Sequence, residues 1–476
     1  LIGIFFFVFF NLNYKKKIFF KYFIFSYLIS FFSIFYFKSH DDFSYYHLSS
    51  ILNITENKLE FGIHHFDIAF NHISSIFHFH SLFKTFFTEN YFYQIGPLFI
   101  VIFINTILFE NILKKKNKQL LDTSFYLNLF FLIFINIFFY RLAEHGTDRS
   151  GMILLLIAFI YLIYIFNCTK KLSTYEIDLF KIFTILIFFV VSIKPFYLIN
   201  LPLFLIILLN KYTREVFTNL LFSRTFFYCL SFLFFTILFT FLNTGCLIFP
   251  LSQTCFTDLA WSIDKIIIED VKLWFELWSK SGARPNFIVE NRENYISNFN
   301  WFSSWFQNYF FNKVLDFLLG VLFAIIIFYV VYFRFNLKKS ENKTRFYMIY
   351  FFLIIFLIEW FMKHPTLRYG GYHIFALLFF IPISKHLSSF RFSYKTYYMK
   401  GLVLVLVVTT IFITRNTSRL INENKLYDYN PFKDSHYKFI GGDVNFYFRY
   451  NKHLQDKRNY SSLNFLGINK IILKNK

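Results

Sequence analysis

The sequence contains no glycine-rich phosphate loop, no nucleophile elbow, no HExxH and no CxxC pair. ATP-driven and serine-type chemistry therefore have no support in it. It has no internal repeat, and few charges interrupt its apolar runs, Lys21 and Glu359 being examples. Transporters tend to place ionisable residues and broken helices at mid-membrane, often in repeated halves. Both absences thus favour chemistry at a membrane surface over passage of a solute. No soluble stretch is large enough to present a basic face with aromatic platforms, which excludes a nucleic-acid partner.

What the chain does have is hydrocarbon. Hydrophobic residues make up 56% of 476, with 79 Phe, and mean hydropathy is +0.47. Such a chain cannot cover itself with polar surface in water, and its apolar runs are long enough to cross about 30 Å of lipid. The lipid bilayer is its first partner. Residues 1–10, LIGIFFFVFF, are too short to span alone and begin with Leu, which reads either as a start inside a helix or as an unusual start codon; a signal peptide fits poorly, because the charges follow the apolar run.

With spans of roughly 17 to 25 residues, helices fall near 18–37, 95–112, 125–141, 152–167, 179–193, 197–210, 226–243, 314–333, 346–363, 372–384 and 400–414. The fold class is an all-α polytopic membrane protein of about 11 to 12 transmembrane helices, with extracytoplasmic loops and interfacial helices. Alternate connections hold the basic clusters: Lys15 to Lys17; Lys114 to Lys116 with Lys118; Lys170 and Lys171; Lys211, Arg214 and Arg224; Lys338, Lys339, Lys343 and Arg345; Lys385, Arg391 and Lys395. By the positive-inside rule these face the cytoplasm, so the +21 formal charge is largely a topology signal. The membrane domain covers 1–414, with a first outward loop at 38–94 and a long one at 244–313. Residues 415–476 form a polar, Tyr-rich tail in which YKFIGGDVNFYFRY reads as a small hairpin or as disordered chain.

The outward loops hold nearly all the residues that could do chemistry. Asp41 and Asp42 adjoin at a helix end; mutual repulsion makes one a candidate general base or ligand of a divalent cation, with helix capping as the structural alternative. FGIHHFDIAFNHISSIFHFH is rich in histidine, but its spacings match no standard metal framework, and interfacial packing accounts for it better. RLAEHGTDRSG packs Glu144, His145, Asp148 and Arg149 into one turn, either as a closed set of ion pairs or as a wall that can bind an anion. Lys194 in SIKPF and Arg368 in HPTLRYGG are the other outward cations. Arg can grip phosphate with a planar fork and Lys with a point charge. Cys246 and Cys255 lie close enough in sequence, and on the oxidising side, for a disulfide. WSIDKIIIEDVKLWFELWSKSG spaces its apolar residues as an interfacial helix, either a lid or plain packing.

Taken together, DDFSYYH, YRLAEHGTDRSG, IKPFYLI, NTGCLIFPLSQTCF, WSKSGARPNF and HPTLRYGGY resemble an uncharacterised family of bacterial inner-membrane proteins often associated with surface-polysaccharide genes. The layout is similar to that of GT-C glycosyltransferases, which take sugar from a polyprenyl-phosphate carrier on the extracytoplasmic face. That resemblance implies an acidic residue in the first outward loop, here Asp41 or Asp42, as base or metal ligand. Arg368, Arg149, Lys194 and His145 would then stabilise the departing lipid phosphate, with Glu144 and Asp148 in the same wall. The competing readings are a transporter or flippase of a lipid-linked or anionic solute, and a polysaccharide polymerase.

Overall fold

The computed structural model describes residues 17–37, 42–56, 60–65, 68–86, 95–113, 123–142, 146–168, 171–284, 289–333, 346–390, 393–430, 460–461 and 470–472. These residues are helical almost throughout. The main helices are α1 (Lys17–Ser30), α2 (Leu48–Glu56), α3 (Ser75–Phe86), α4 (Ile95–Leu113), α5 (Thr123–Ile133), α6 (Gly146–Phe166), α7 (Thr174–Ile193), α8 (Leu203–Leu208), α9 (Lys211–Leu221) and α10 (Arg224–Thr244). They are followed by α11 (Lys265–Lys280), α12 (Leu315–Tyr332), α13 (Tyr347–Lys363), α14 (Tyr372–Ser388) and α15 (Tyr394–Tyr427). Six helical segments are long and apolar enough to cross a membrane: Ile95–Leu113, Gly146–Phe166, Arg224–Thr244, Phe302–Tyr332, Leu367–Ser388 and Lys395–Tyr427. This is a membrane protein.

Helix ends follow local chemistry. Ser173 and Glu176 form a capping box at the start of α7, and Ser223 and Ser393 accept backbone N–H bonds at the starts of α10 and α15. Gly245 ends α10 in the left-handed region.

α6 is the central rod. It packs against α4, α5, α7, α8 and α14, and nearly all of its residues are buried. α10 lies outside α7 with an exposed aromatic face, as expected of a helix solvated by lipid. Two amide pairs join α4 to its neighbour: Asn105 and Asn136 exchange hydrogen bonds at 2.9 and 2.8 Å, and Asn111 donates to Asn128 at 3.0 Å.

Two boundaries differ from the sequence reading. GTDRSG is not turn: α6 begins at Gly146, so these six residues form its opening turns. α15 runs past residue 414 to Tyr427. Its polar end straps neighbouring helix termini: Arg415 and Asn416 donate to the carbonyls of Ile137 and Tyr140, Arg419 donates to Phe35 O, and Glu423 accepts from Phe37 N. These contacts consume carbonyls and an N–H that a terminating helix leaves orphaned. The segment 437–450 lies outside the described residues. Farther on, β2 (Tyr460–Ser461) and β3 (Lys470–Ile472) join β1 (Glu60–Phe61) in a small sheet of order β1-β3-β2. β1 pairs in parallel with β3, Glu60 opposite Lys470, and β2 antiparallel to it, Tyr460 opposite Ile472.

Candidate functional site

Four charged residues from four separate segments meet at one end of the bundle. Asp148 stands in the first turn of α6, where the helix dipole favours a carboxylate. Lys194 follows α7 in an extended conformation (φ −153°, ψ 124°); the Pro after it forbids helix there and turns the chain. Arg368 lies in a kinked π-type turn, Leu367–Gly371, between α13 and α14. Asp42 opens the helical segment that leads into α2.

Arg368 ties the set together. Its Nε donates to Asp148 Oδ2 at 2.8 Å and its Nη2 to Asp42 Oδ2. Lys194 Nζ donates to Asp148 Oδ1. Asp148 is 10% exposed at its side chain, Lys194 20% and Arg368 29%. Among the described residues, two carboxylates and two cations therefore meet in one partly shielded cluster. Burial of the charges is offset by pairing, and Lys194 and Arg368 keep part of their surface exposed.

Supporting groups fix this geometry. Tyr197 donates its hydroxyl to the Asp148 carbonyl at 2.6 Å, and its ring lies where a Cβ at Gly151 would stand, 2.3 Å from Tyr197 Cε2. Glycine at 151 is what lets the two segments close up. Gly370 takes φ +92°, a conformation that aims the Arg368 turn at little steric cost only without a side chain. Trp305 Nε1 and Trp360 Nε1 donate to the Pro365 and Thr366 carbonyls at 2.6 and 2.7 Å, and Tyr309 hydroxyl accepts from Leu367 N at 2.8 Å. The segment carrying Arg368 is thus held by two indoles and a phenol.

Aromatic residues cover the charges. Trp278 of α11 lies over Arg368, with 5.5 Å from guanidinium carbon to ring centre, and 5.8 Å from the Tyr369 ring. Lys194 Nζ sits 4.7 Å from the Tyr369 centroid. Beneath them Tyr46 packs against His47 and His72 at 4.4 and 5.0 Å. Burial, then the carboxylates of Asp42 and Asp148, raise the Tyr46 phenol well above its ordinary value. Burial, then the Lys194 ammonium, lower His72 to about 4, so its ring is neutral at pH 7.

A second network anchors α11 across the site. Glu276 accepts from Lys280 at 2.6 Å and pairs with Lys363 at 3.6 Å, while Lys280 also donates to the Ile296 carbonyl at 2.9 Å. His364, next to it, is lowered to about 4, first by burial.

The remaining sequence candidates fall as follows. Asp41, Glu144 and His145 lie outside the described residues. Arg149 carries its guanidinium 5.3 Å above the Phe139 ring. Cys246 and Cys255 form a disulfide beside a small core of Phe249, Ile263, Ile268 and Val271. The histidine run does not converge: His64 binds Asn243, His78 stacks on Phe239 at 4.6 Å, and His80 accepts from Gly96 N at 3.0 Å at the head of α4. Among the described residues no three His, Cys, Asp or Glu side chains are grouped to hold a metal ion. Tyr46, Tyr197 and Tyr369 went unnoticed in the sequence as site residues, while His72 was weighed only within the histidine run and Trp278 only within the interfacial helix; Tyr46 at i+4 from Asp42 and Tyr369 beside Arg368 are local hints.

No curated protein and no solved structure matches the chain. A family model does match over residues 2–375, most of the sequence. The chain belongs to the family described as domain of unknown function DUF8201.

Proposed function

We propose that this protein is an integral-membrane glycosyltransferase of GT-C type, moving sugar from a polyprenyl-phosphate carrier to an acceptor in surface polysaccharide or glycolipid assembly. In this reading about 11 to 12 helical segments cross the bacterial inner membrane, and the end that carries Asp42, Asp148, Lys194 and Arg368 faces outward. The basic residues Lys171, Lys211, Arg214, Arg224 and Lys385 belong to the opposite helix ends, in keeping with that orientation.

The observation that carries the reading is Arg368 shared between Asp42 and Asp148. A phosphate entering the pocket competes for Arg368 and Lys194 as a bidentate and a point-charge ligand. When the Nη2 of Arg368 turns to phosphate, Asp42 loses that bond. A carboxylate relieved of its guanidinium holds a proton more readily, so donor binding turns Asp42 from an ion-pair partner into a general base for the acceptor hydroxyl. The hydroxyl oxygen attacks the anomeric carbon, the proton passes to Asp42, and the bond electrons leave with the lipid phosphate held by Arg368 and Lys194.

The test uses purified protein in nanodiscs with a panel of radiolabelled polyprenyl-phosphate sugars. Consumption of a donor by wild type, spared in both Asp42→Asn and Arg368→Ala, is the expected result. No turnover with any donor, together with donor binding that survives Asp42→Asn and fails in Arg368→Ala, refutes glycosyl transfer and leaves the flippase reading.

A further inference from the structure

The polar end of α15 borders a second cleft that shares no residue with the four-charge cluster. Its volume is about 500 Å³, and Tyr140, Arg141, Arg415, Ser418, Arg419 and Asn422 are among its walls. Among the described residues, three arginines and one carboxylate, Glu423, line it. The cleft lies where α15 changes character: GLVLVLVVTTIFIT is apolar and RNTSRLINENKLY is polar. That change marks the level at which a membrane helix leaves hydrocarbon for headgroups.

The arginines are positioned rather than merely present. The Arg415 guanidinium lies 3.8 Å over the Tyr140 ring and donates through Nη1 to the Ile137 carbonyl at 2.6 Å. Among the described residues its Nε and Nη2 have no partner, and Arg415 is one of the residues that line the cleft. Arg419, 10% exposed, is locked to Glu423 through Nη1 at 3.1 and 3.0 Å and to Phe35 O through Nη2, while its buried Nε has no partner. A rigid fork above an aromatic ring, at headgroup depth, is suited to a phosphate with an acyl chain below it.

We propose that this cleft is a binding site for the phosphate headgroup of an anionic membrane lipid, with Arg415 as its principal ligand and Arg141 and Arg419 supplying the field. The inference does not rest on glycosyl transfer, since it involves another site and a ligand that is not consumed.

The test is native mass spectrometry of the full chain, with phosphatidylglycerol titrated into detergent and glycerol 1-phosphate as a soluble competitor. Two variants are compared. Arg415→Gln removes the ligand. Ser418→Glu adds a carboxylate to the cleft wall at an exposed position whose side chain makes no hydrogen bond among the described residues, so the substitution breaks none there. Saturable phosphatidylglycerol binding, weakened about tenfold or more in both variants, is expected for loss or neutralisation of a charge-assisted phosphate contact. Glycerol 1-phosphate that displaces the lipid at equal concentration supports the phosphate site and assigns it to a soluble ligand. Binding unchanged in both variants overturns the proposal. So does weakening in Arg415→Gln alone, which would trace the effect to the lost strap on Ile137.

Discussion

Replacing Asp148 by Asn keeps the shape of the pocket and removes the charge that Lys194 and Arg368 share. The cost follows from burial. Breaking a buried ion pair by deleting one partner costs about 3–5 kcal/mol, because the other partner stays desolvated and unpaired. Lys194 and Arg368 keep 20% and 29% of their side-chain surface exposed, and Arg368 retains Asp42, which places the expected loss at about 3 kcal/mol, the lower end of that range. Adding Lys194→Met removes the stranded ammonium, so the double variant should recover part of the loss, with a coupling of about 1.5–3 kcal/mol between the sites. The assay is reversible unfolding of the purified protein by SDS in mixed micelles, run on wild type, both single variants and the double variant. A loss below about 1 kcal/mol for Asp148→Asn, or effects additive to within about 0.5 kcal/mol, would refute the claim that this cluster is a coupled buried network.

Four further outcomes are expected. Because the folded-state value of His72 is lowered to about 4, the unfolded chain takes the proton first. The corresponding stability is complete above about pH 6.5 and is lost as pH falls toward 4. His72→Phe, which keeps the stack on Tyr46, should flatten the difference in unfolding between pH 7 and pH 5; an unchanged slope contradicts the assignment. Trp278→Ala should speed phenylglyoxal modification of Arg368, read by peptide mapping, and an unchanged rate would mean that Trp278 does not cover it. Gly370→Ala forces a Cβ to 3.2 Å from His373 and 3.3 Å from Phe196 at φ +92°, at a cost of about 1–3 kcal/mol; wild-type stability in SDS titration would show that the turn relaxes freely. Finally, Cys246 and Cys255 should resist a membrane-impermeant maleimide in intact cells until a reductant is added. Labelling without reductant would exclude the disulfide, and labelling after reduction that appears only once the membrane is permeabilised would exclude the outward assignment of that loop.

The charged members of the cluster were legible because polar residues stand out in an apolar chain. Asp42, Asp148, Lys194 and Arg368 each sit at a break in a hydrophobic run, and Lys194 and Arg368 are marked further by the Pro and glycines beside them. Their pairing was not legible: Arg368 and Asp148 are 220 residues apart, and nothing local encodes which carboxylate an arginine will reach. Trp278 and Tyr46 were hidden for the opposite reason. A quarter of the chain is aromatic, so no individual ring carries a signal until packing places it over a charge. The start of α6 was misplaced because GTDRSG has the composition of a turn, whereas Asp in a first helical turn is stabilised by the dipole. The end of α15 was misplaced because its last turns are polar, and a hydropathy window cannot separate a helix that leaves the membrane from a loop.

The asparagine pairs between α4 and the α5 segment limit how this bundle can move. Helix pairs that shift by ratcheting do so one turn at a time, about 5.4 Å. Sliding α4 that far would part Asn105 from Asn136 and Asn111 from Asn128 together. Asn105, Asn128 and Asn136 are all buried, and an amide stripped of partners in hydrocarbon has no water to turn to. The two segments therefore behave as a single beam. Spin labels placed along it should keep their separation whatever the pocket binds, and adaptation to a ligand falls to the loops and helix ends above.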